Sequence, residues 1–358
     1  MTEKQQVERV QHTHIGGQAV LEGIMMRGKY NWAIAVREAD GNIYLEEHDL
    51  KTAASQKPWL GKPVIRGVVT FYETIVLAMQ AFSISAEHAG GIEEDEKLSK
   101  RDISLSMLLG LALSIGLFIV APALVTSWIV GPATEEPFMW NLVDGLLRVL
   151  VFFGYIWGVS RVQDIQRVFA YHGAEHKTIH AYEHGLPLEP DVIQKWETMH
   201  VRCGTSFLLM VMVVALFVYS LVPMKAILAA MGIESRWMVT LTAILIRLIL
   251  LPLIAGLAYE VIKWAGKMPD NPVVKVILWP GLQLQRMTTR QPDDSMIEVA
   301  VAATKRVIAR EELEERKAKG GQAHEGTAAT TAEDEARQAV EEVAEELASD
   351  PGEILDLL

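Results

Sequence analysis

The sequence predicts an α-helical integral membrane protein with about four transmembrane helices and a small α+β cytoplasmic domain that contains a β-hairpin. Three observations predict it. Half of the 358 residues are hydrophobic and the mean hydropathy is +0.20, high for a soluble chain. The apolar residues are gathered into stretches close to the ~20 residues that carry a helix across a bilayer. One polar segment between these stretches concentrates histidine and glutamate at helical spacing.

The elements follow in order. Residues 1–100 read as the cytoplasmic domain. Its hairpin runs from Ala33 to Glu47 through Asp40-Gly41, a pair favoured in tight primed turns where both central residues need positive φ. Before it, the run from Gly16 to Gly28 has four glycines and reads as a loop capable of close approach. Its spacing does not fit a phosphate-binding loop. After it, residues 64–87 form a helix with an apolar face that suits the membrane surface. The first hundred residues lack a basic start followed by an apolar run, so no cleavable signal peptide is expected.

The membrane domain covers 101–265, with spans at 105–130, 138–160, 205–222 and 237–259. Orientation follows from the short loops. The first carries Glu135 and Glu136 and no Lys or Arg, whereas Arg161, Arg167, Lys177, Lys195 and Arg202 lie between the second and third spans. Lys263, Lys267 and Lys275 follow the fourth, and Lys225 and Arg236 dissent weakly. The expectation is a multi-pass protein of the cell membrane, with both termini and residues 161–204 in the cytoplasm. A single cysteine, Cys203, forbids an internal disulfide and suits a reducing compartment.

A C-terminal cytoplasmic segment, 266–315, ends in an amphipathic helix from about Asp294 to Glu315 that should dock on the N-terminal domain. The remainder, 316–358, reads as an acidic, disordered tail. From Arg310 onward there are 15 acidic and 5 basic residues, so ten of the twelve net negative charges lie there. That balance disfavours nucleic acid; the expected partner is the lipid bilayer, and the sequence leaves a homo-oligomer open.

The chemistry lies in Tyr171-His172-Gly173-Ala174-Glu175-His176-Lys177 and the residues after it. At about 100° per residue, His172, His176, His180 and Glu183 share an arc of roughly 80°, with Glu175 about 60° to the other side of His172. Imidazole and carboxylate are ligand types for zinc and related divalent ions. The His-x-x-Glu-His core has the inverzincin pattern, in which two histidines bind zinc and the glutamate activates water. His172, His176, His180 and Glu183 are therefore the candidate ligands and Glu175 the candidate base. Ligands on successive turns of one helix span a shallow arc, so a ligand from elsewhere should complete the shell: Cys203, His200 or Glu22. Cys203 can also be read as a nucleophile. Glu22 sits in an apolar run, where its charge needs a partner. Within the spans, Asp144, Arg148 and Arg247 are costly and should face the bundle interior. They read either as a polar path or anchoring site, or as a structural ion pair.

Four motifs in one order carry a resemblance: Gly-Gly-Gln-Ala-Val-Leu-Glu-Gly-Ile-Met-Met-Arg-Gly from Gly16, Tyr-His-Gly-Ala-Glu-His-Lys from Tyr171, Arg-Cys-Gly-Thr-Ser from Arg202, and Pro-Gly-Leu-Gln-x-x-x-x-Thr-Thr-Arg from Pro280. Over roughly residues 12–305 the chain resembles the bacterial YqhQ-like family. The resemblance implies a metal-dependent membrane enzyme and supplies no substrate. Two functional readings stay open: a metal-dependent, zinc-using hydrolase at the cytoplasmic membrane face, or a non-enzymatic membrane protein (ion transport or scaffold) with a structural metal.

Overall fold

The computed structural model describes residues 14–53, 57–89, 100–131, 137–200, 203–265 and 271–321. The tail beyond Gly321, the charges Glu135 and Glu136, Arg202 and Lys267 lie outside the described residues. The chain divides into two compact units, Met1–Ile308 and Ala309–Leu358.

Four strands form an antiparallel meander in the order β1-β2-β3-β4: β1 Gly16–Val20, β2 Gly23–Arg27, β3 Asn31–Arg37 and β4 Ile43–Asp49. The expected hairpin is the β3–β4 pair. Its turn differs from the primed type, since only Gly41 has positive φ, at 88°. Gly41 N–H donates to the Glu38 carbonyl and Asp40 Oδ1 accepts from Asn42 N–H. That is the longer turn in which one left-handed glycine ends the loop. The glycine-rich run, expected as a loop, is itself a hairpin: β1 pairs with β2 from Gly16↔Arg27 to Val20↔Gly23 around Leu21-Glu22.

The central strands are buried on both faces, and their alternation sorts side chains between two cores. Ile24, Met26, Ala33 and Ala35 face a helix at Gln163–Glu183 and a C-terminal helix from Asp294, meeting Ala170, Tyr171, Ala174, Ile297 and Ala300. Met25, Trp32, Ile34 and Val36 face the opposite way, onto Leu77 and Ala81 of helix α1, Ile65–His88. Antiparallel sheets usually leave one face wet; helices cover both here. The C-terminal helix contacts the sheet through Arg37 Nη2, which donates to Ser295 O and Glu298, and through Arg306, which pairs with Glu47.

The remaining helices are α2 Lys100–Ile115, a π-helical turn at Gly116–Val120, α3 Ala121–Ile129, α4 Pro137–Val159, α5 Gln163–Glu183, α6 Pro190–Ile193, α7 Gly204–Ser220, α8 Met224–Met231, α9 Arg236–Ala265, α10 Pro272–Thr288 and α11 Asp294–Gly321. Among the described residues four helical stretches are long and apolar enough to cross a membrane: Ile65–His88, Ser104–Ile129, Phe138–Val159 and Arg236–Ala265. The expected span at 205–222 is one limb of a pair, α7 and α8, bent by 60°. Pro223 lies at the break, where it has no N–H to continue the helix. The expected surface helix is α1, which also meets the length and apolarity of a span. Its start packs on α9 through Gly67 and Gly256: a Cβ on Gly67 would lie 2.7 Å from the Gly256 carbonyl oxygen. Beside this contact Arg66 Nε donates to Glu260 over 2.7 Å. In the second unit, Arg310 and Lys317 pair with Glu314.

Candidate metal centre

Helix α5 positions the centre. Asp164 lies in its first turn, where a carboxylate suits the helix dipole. It ends at Gly185, φ 65°, with Leu186 N–H donating to Ala181 O and Gly185 N–H to Tyr182 O, a Schellman stop. Although polar in sequence, the helix is deeply enclosed: Glu175, His176, Lys177 and Glu183 are each 6% exposed or less.

His172 and His176, one turn apart, meet Cys203 from the start of α7. Their donor atoms all lie within 4.8 Å of one another. His172 Nε2 is 3.2 Å from Cys203 Sγ, and its Nδ1 is 2.8 Å from the Thr288 carbonyl oxygen. His176 Nδ1 likewise meets the Thr198 carbonyl oxygen. A carbonyl oxygen only accepts, so in each neutral ring Nδ1 carries the proton and Nε2 keeps the lone pair. Metal-binding histidines are oriented in this way, with the second nitrogen tied to a carbonyl or carboxylate. Cys203 Sγ is itself oriented by the Thr205 hydroxyl at 3.2 Å and backbone N–H at 3.5 Å.

Glu175 stands beside this cluster. Its Oε1 accepts the Gly17 N–H over 3.0 Å, and its Oε2 lies 3.8 Å from His176 Nε2. Gly17 is required there, because a Cβ would sit 2.6 Å from the Met25 carbonyl oxygen and 3.1 Å from Glu175 Cγ. The glycine-rich hairpin therefore closes over the histidine helix.

The other candidates go elsewhere. His180 is not in the cluster: its Nε2 donates to the Met199 carbonyl over 2.9 Å and its ring stacks on Trp196. Burial lowers its pKa to about 4, against the opposing bond to Met199. Glu183 is engaged by His200, whose Nε2 lies 3.2 Å from Oε2. Burial lowers the pKa of His200, with the charge of Glu175 acting the other way. One further turn carries His180 and Glu183 past the point where α7 delivers its sulfur. Glu22 finds its partner in Arg167, whose Nε and Nη2 donate to its two carboxylate oxygens, with the Tyr171 hydroxyl at 3.3 Å. Its charge is thus satisfied by a cation one turn before His172.

Sequence reasoning missed the groups that hold the donors. Gln285 grips the His200 backbone twice, accepting from N–H and donating to C=O, each over 2.8 Å. Thr198 and Thr288 act through their carbonyls. Gln285, Thr288 and Arg290 lie in the Pro-Gly-Leu-Gln…Thr-Thr-Arg motif, which was the available signal. The Arg290 carbonyl presses on Gly173, where a Cβ would be 2.0 Å away, and Arg290 N–H donates to Phe169 O. A Cβ on Gly281 would meet Ser206 Oγ at 2.4 Å. All four sequence motifs thus meet around α5.

The fold and the site define a protein of several long apolar helices with a histidine–cysteine donor cluster at one end, covered by a small antiparallel sheet. The chain belongs to the family described as "Protein of unknown function (DUF1385)", which matches residues 62–310. It is 33% identical over 324 residues to the "Uncharacterized protein YqhQ" of Bacillus subtilis (strain 168), covering 85% of this chain and 95% of that one. No solved structure matches it.

Proposed function

We propose that this protein is a metal-dependent hydrolase, with zinc the metal its donors suit, acting at the cytoplasmic face of the cell membrane. The observation that carries the proposal is the three-donor cluster with both histidine Nδ1 atoms tied back and a carboxylate beside it. Imidazole and thiolate fit zinc, and three protein donors are the number found in catalytic sites, whereas structural sites take four. A divalent ion held by His172, His176 and Cys203 would supply Lewis acidity and acidify water.

The chain's own groups do the rest. Gly17 N–H fixes Oε1 of Glu175, which leaves Oε2 on the side of the donors to accept a proton from water. Thr288 and Thr198 hold the two imidazoles in the tautomer that presents Nε2. The β1–β2 hairpin covers Glu175 and His176, which are 6% and 2% exposed, and this burial strengthens electrostatic interactions between them.

Exposed aromatic side chains support the membrane placement. Trp128, Phe138 and Trp237 lie at helix ends away from α5, while Trp157 and Trp264 lie at the ends of α4 and α9 nearer to it. Along α4 and α9 the two groups are separated by about 30–40 Å at 1.5 Å per residue, the scale of a bilayer between its aromatic belts. Arg66, Arg161, Lys263 and Arg290 fall at the α5 end, a clustering of positive charge that supports a cytoplasmic placement of that end. In this placement α1, capped by the sheet, lays Tyr72, Ile75, Met79 and Phe82 against lipid.

A structural metal is the second reading, favoured by the fact that the donors join α5 to α7 beside the end of α10. Chelation separates the two: a structural site unfolds the cytoplasmic part, and a catalytic one leaves it folded. The base is tested with Glu175→Gln, which keeps shape but cannot take a proton. Extracts of cells lacking the gene and complemented with each form are compared by mass spectrometry. The expected result is a metal-replete, folded variant in which one species accumulates that wild type clears. Equal clearance by both forms overturns the assignment of the base.

A further inference from the structure

We propose that the interior of the helix bundle contains a binding site for a singly charged anionic group, built by Arg148 and Arg247 around Asp144. The charges do not balance. Arg148 Nε donates to Asp144 Oδ2 over 2.8 Å, and Arg247 Nε reaches the same oxygen at 3.4 Å. Asp144 and the Arg247 side chain are 3% exposed, so two guanidinium groups share one carboxylate out of water. Among the described residues neither arginine pairs with a second acid. Arginine stays protonated in proteins, so the excess positive charge persists.

The neighbours soften this charge without cancelling it. Arg247 donates to Asn141 Oδ1 over 3.0 Å and to the Ala243 carbonyl over 3.2 Å. Its Cζ stands 4.4 Å from the Trp140 ring centroid and 4.7 Å from that of Tyr219. Ring faces and carbonyls attract cations but carry no net charge.

Two further observations point to a ligand. Trp140 is 1% exposed, and its indole N–H has no hydrogen-bond partner among the described residues, a costly state for a buried donor. The second is the π-helical turn, Gly116–Val120, which sits at this point: Arg148 Nη2 reaches the Ile119 carbonyl at 3.4 Å. Such turns are rare and often mark functional sites. Arg148 is the accessible member, 13% exposed, and its Nη1 makes no hydrogen bond among the described residues. An anion at Arg148 would balance the cluster. Arg148 lies about 15 Å along α4 from both Phe138 and Trp157, far from either headgroup layer of the proposed placement, so the anion is a small free one.

Thermal unfolding of the detergent-purified full chain in sodium gluconate, chloride or phosphate tests the free anions. One of these salts should show a saturable rise of several degrees for wild type. Arg148→Gln leaves one guanidinium for one carboxylate, so it should fold and lose the rise. Asp144→Asn leaves two cations with no acid, so where it folds the rise should grow. Wild type indifferent to all of these conditions, or Arg148→Gln responding as wild type does, overturns the site.

Discussion

At Gly173 helix propensity and site geometry pull in opposite directions. A glycine inside a helix costs about 1 kcal/mol relative to alanine, so Gly→Ala there ordinarily stabilises. Here the added Cβ would lie 2.0 Å from the Arg290 carbonyl oxygen, a backbone atom that cannot swing away. Relieving that overlap moves the segment whose Thr288 carbonyl orients His172. Gly173→Ala is therefore expected to destabilise by about 1–3 kcal/mol, the usual range for overpacking, and to weaken metal retention. Chemical denaturation and metal content check both; a variant as stable as wild type with its metal intact contradicts this packing. The pairing of His172 and His176 was legible, because i, i+4 spacing fixes a shared face. The exclusion of His180 and Glu183 was not, because it depends on where α7 brings Cys203 and on the Met199 carbonyl and His200 that take them.

Among the elements, the long apolar runs were the most legible, since length and composition alone mark them. The bend between α7 and α8 was announced by Pro223 but hidden by a continuous apolar run on both sides. The glycine-rich hairpin was hardest. Glycine has poor strand propensity, and although the pairing of β1 with β2 is local, the Gly17–Glu175 contact that seats β1 joins residues 158 positions apart. The β3–β4 hairpin was visible because alternation and Asp-Gly agree, although its turn geometry was not. For the helices, the proposed orientation predicts that a cysteine at Gln194, on a Cys203→Ser background, resists an impermeant thiol reagent applied outside intact cells. It should react once the membrane is opened. Labelling in intact cells contradicts the orientation.

At the scale of the molecule, four motifs spread across the chain converge on one helix. β1 supplies the Gly17 N–H, α7 the sulfur, and α10 the Thr288 carbonyl that orients His172 and the Gln285 side chain that grips the His200 backbone. The sheet closes over α5 on one side and rests on α1 on the other. Such convergence places the donor cluster where the apolar helices meet the small domain. Ten of the twelve net negative charges lie from Arg310 onward.

The central claim is that His172, His176 and Cys203 hold one metal. Elemental analysis by mass spectrometry of the purified full chain, wild type beside His172→Ala and His176→Ala, tests it most directly. About one zinc per chain in wild type and almost none in either variant is the predicted result, since loss of one of three donors leaves too few to hold an ion in a catalytic-type site. Wild type purified without bound metal, or variants that keep it at full stoichiometry, would contradict the claim.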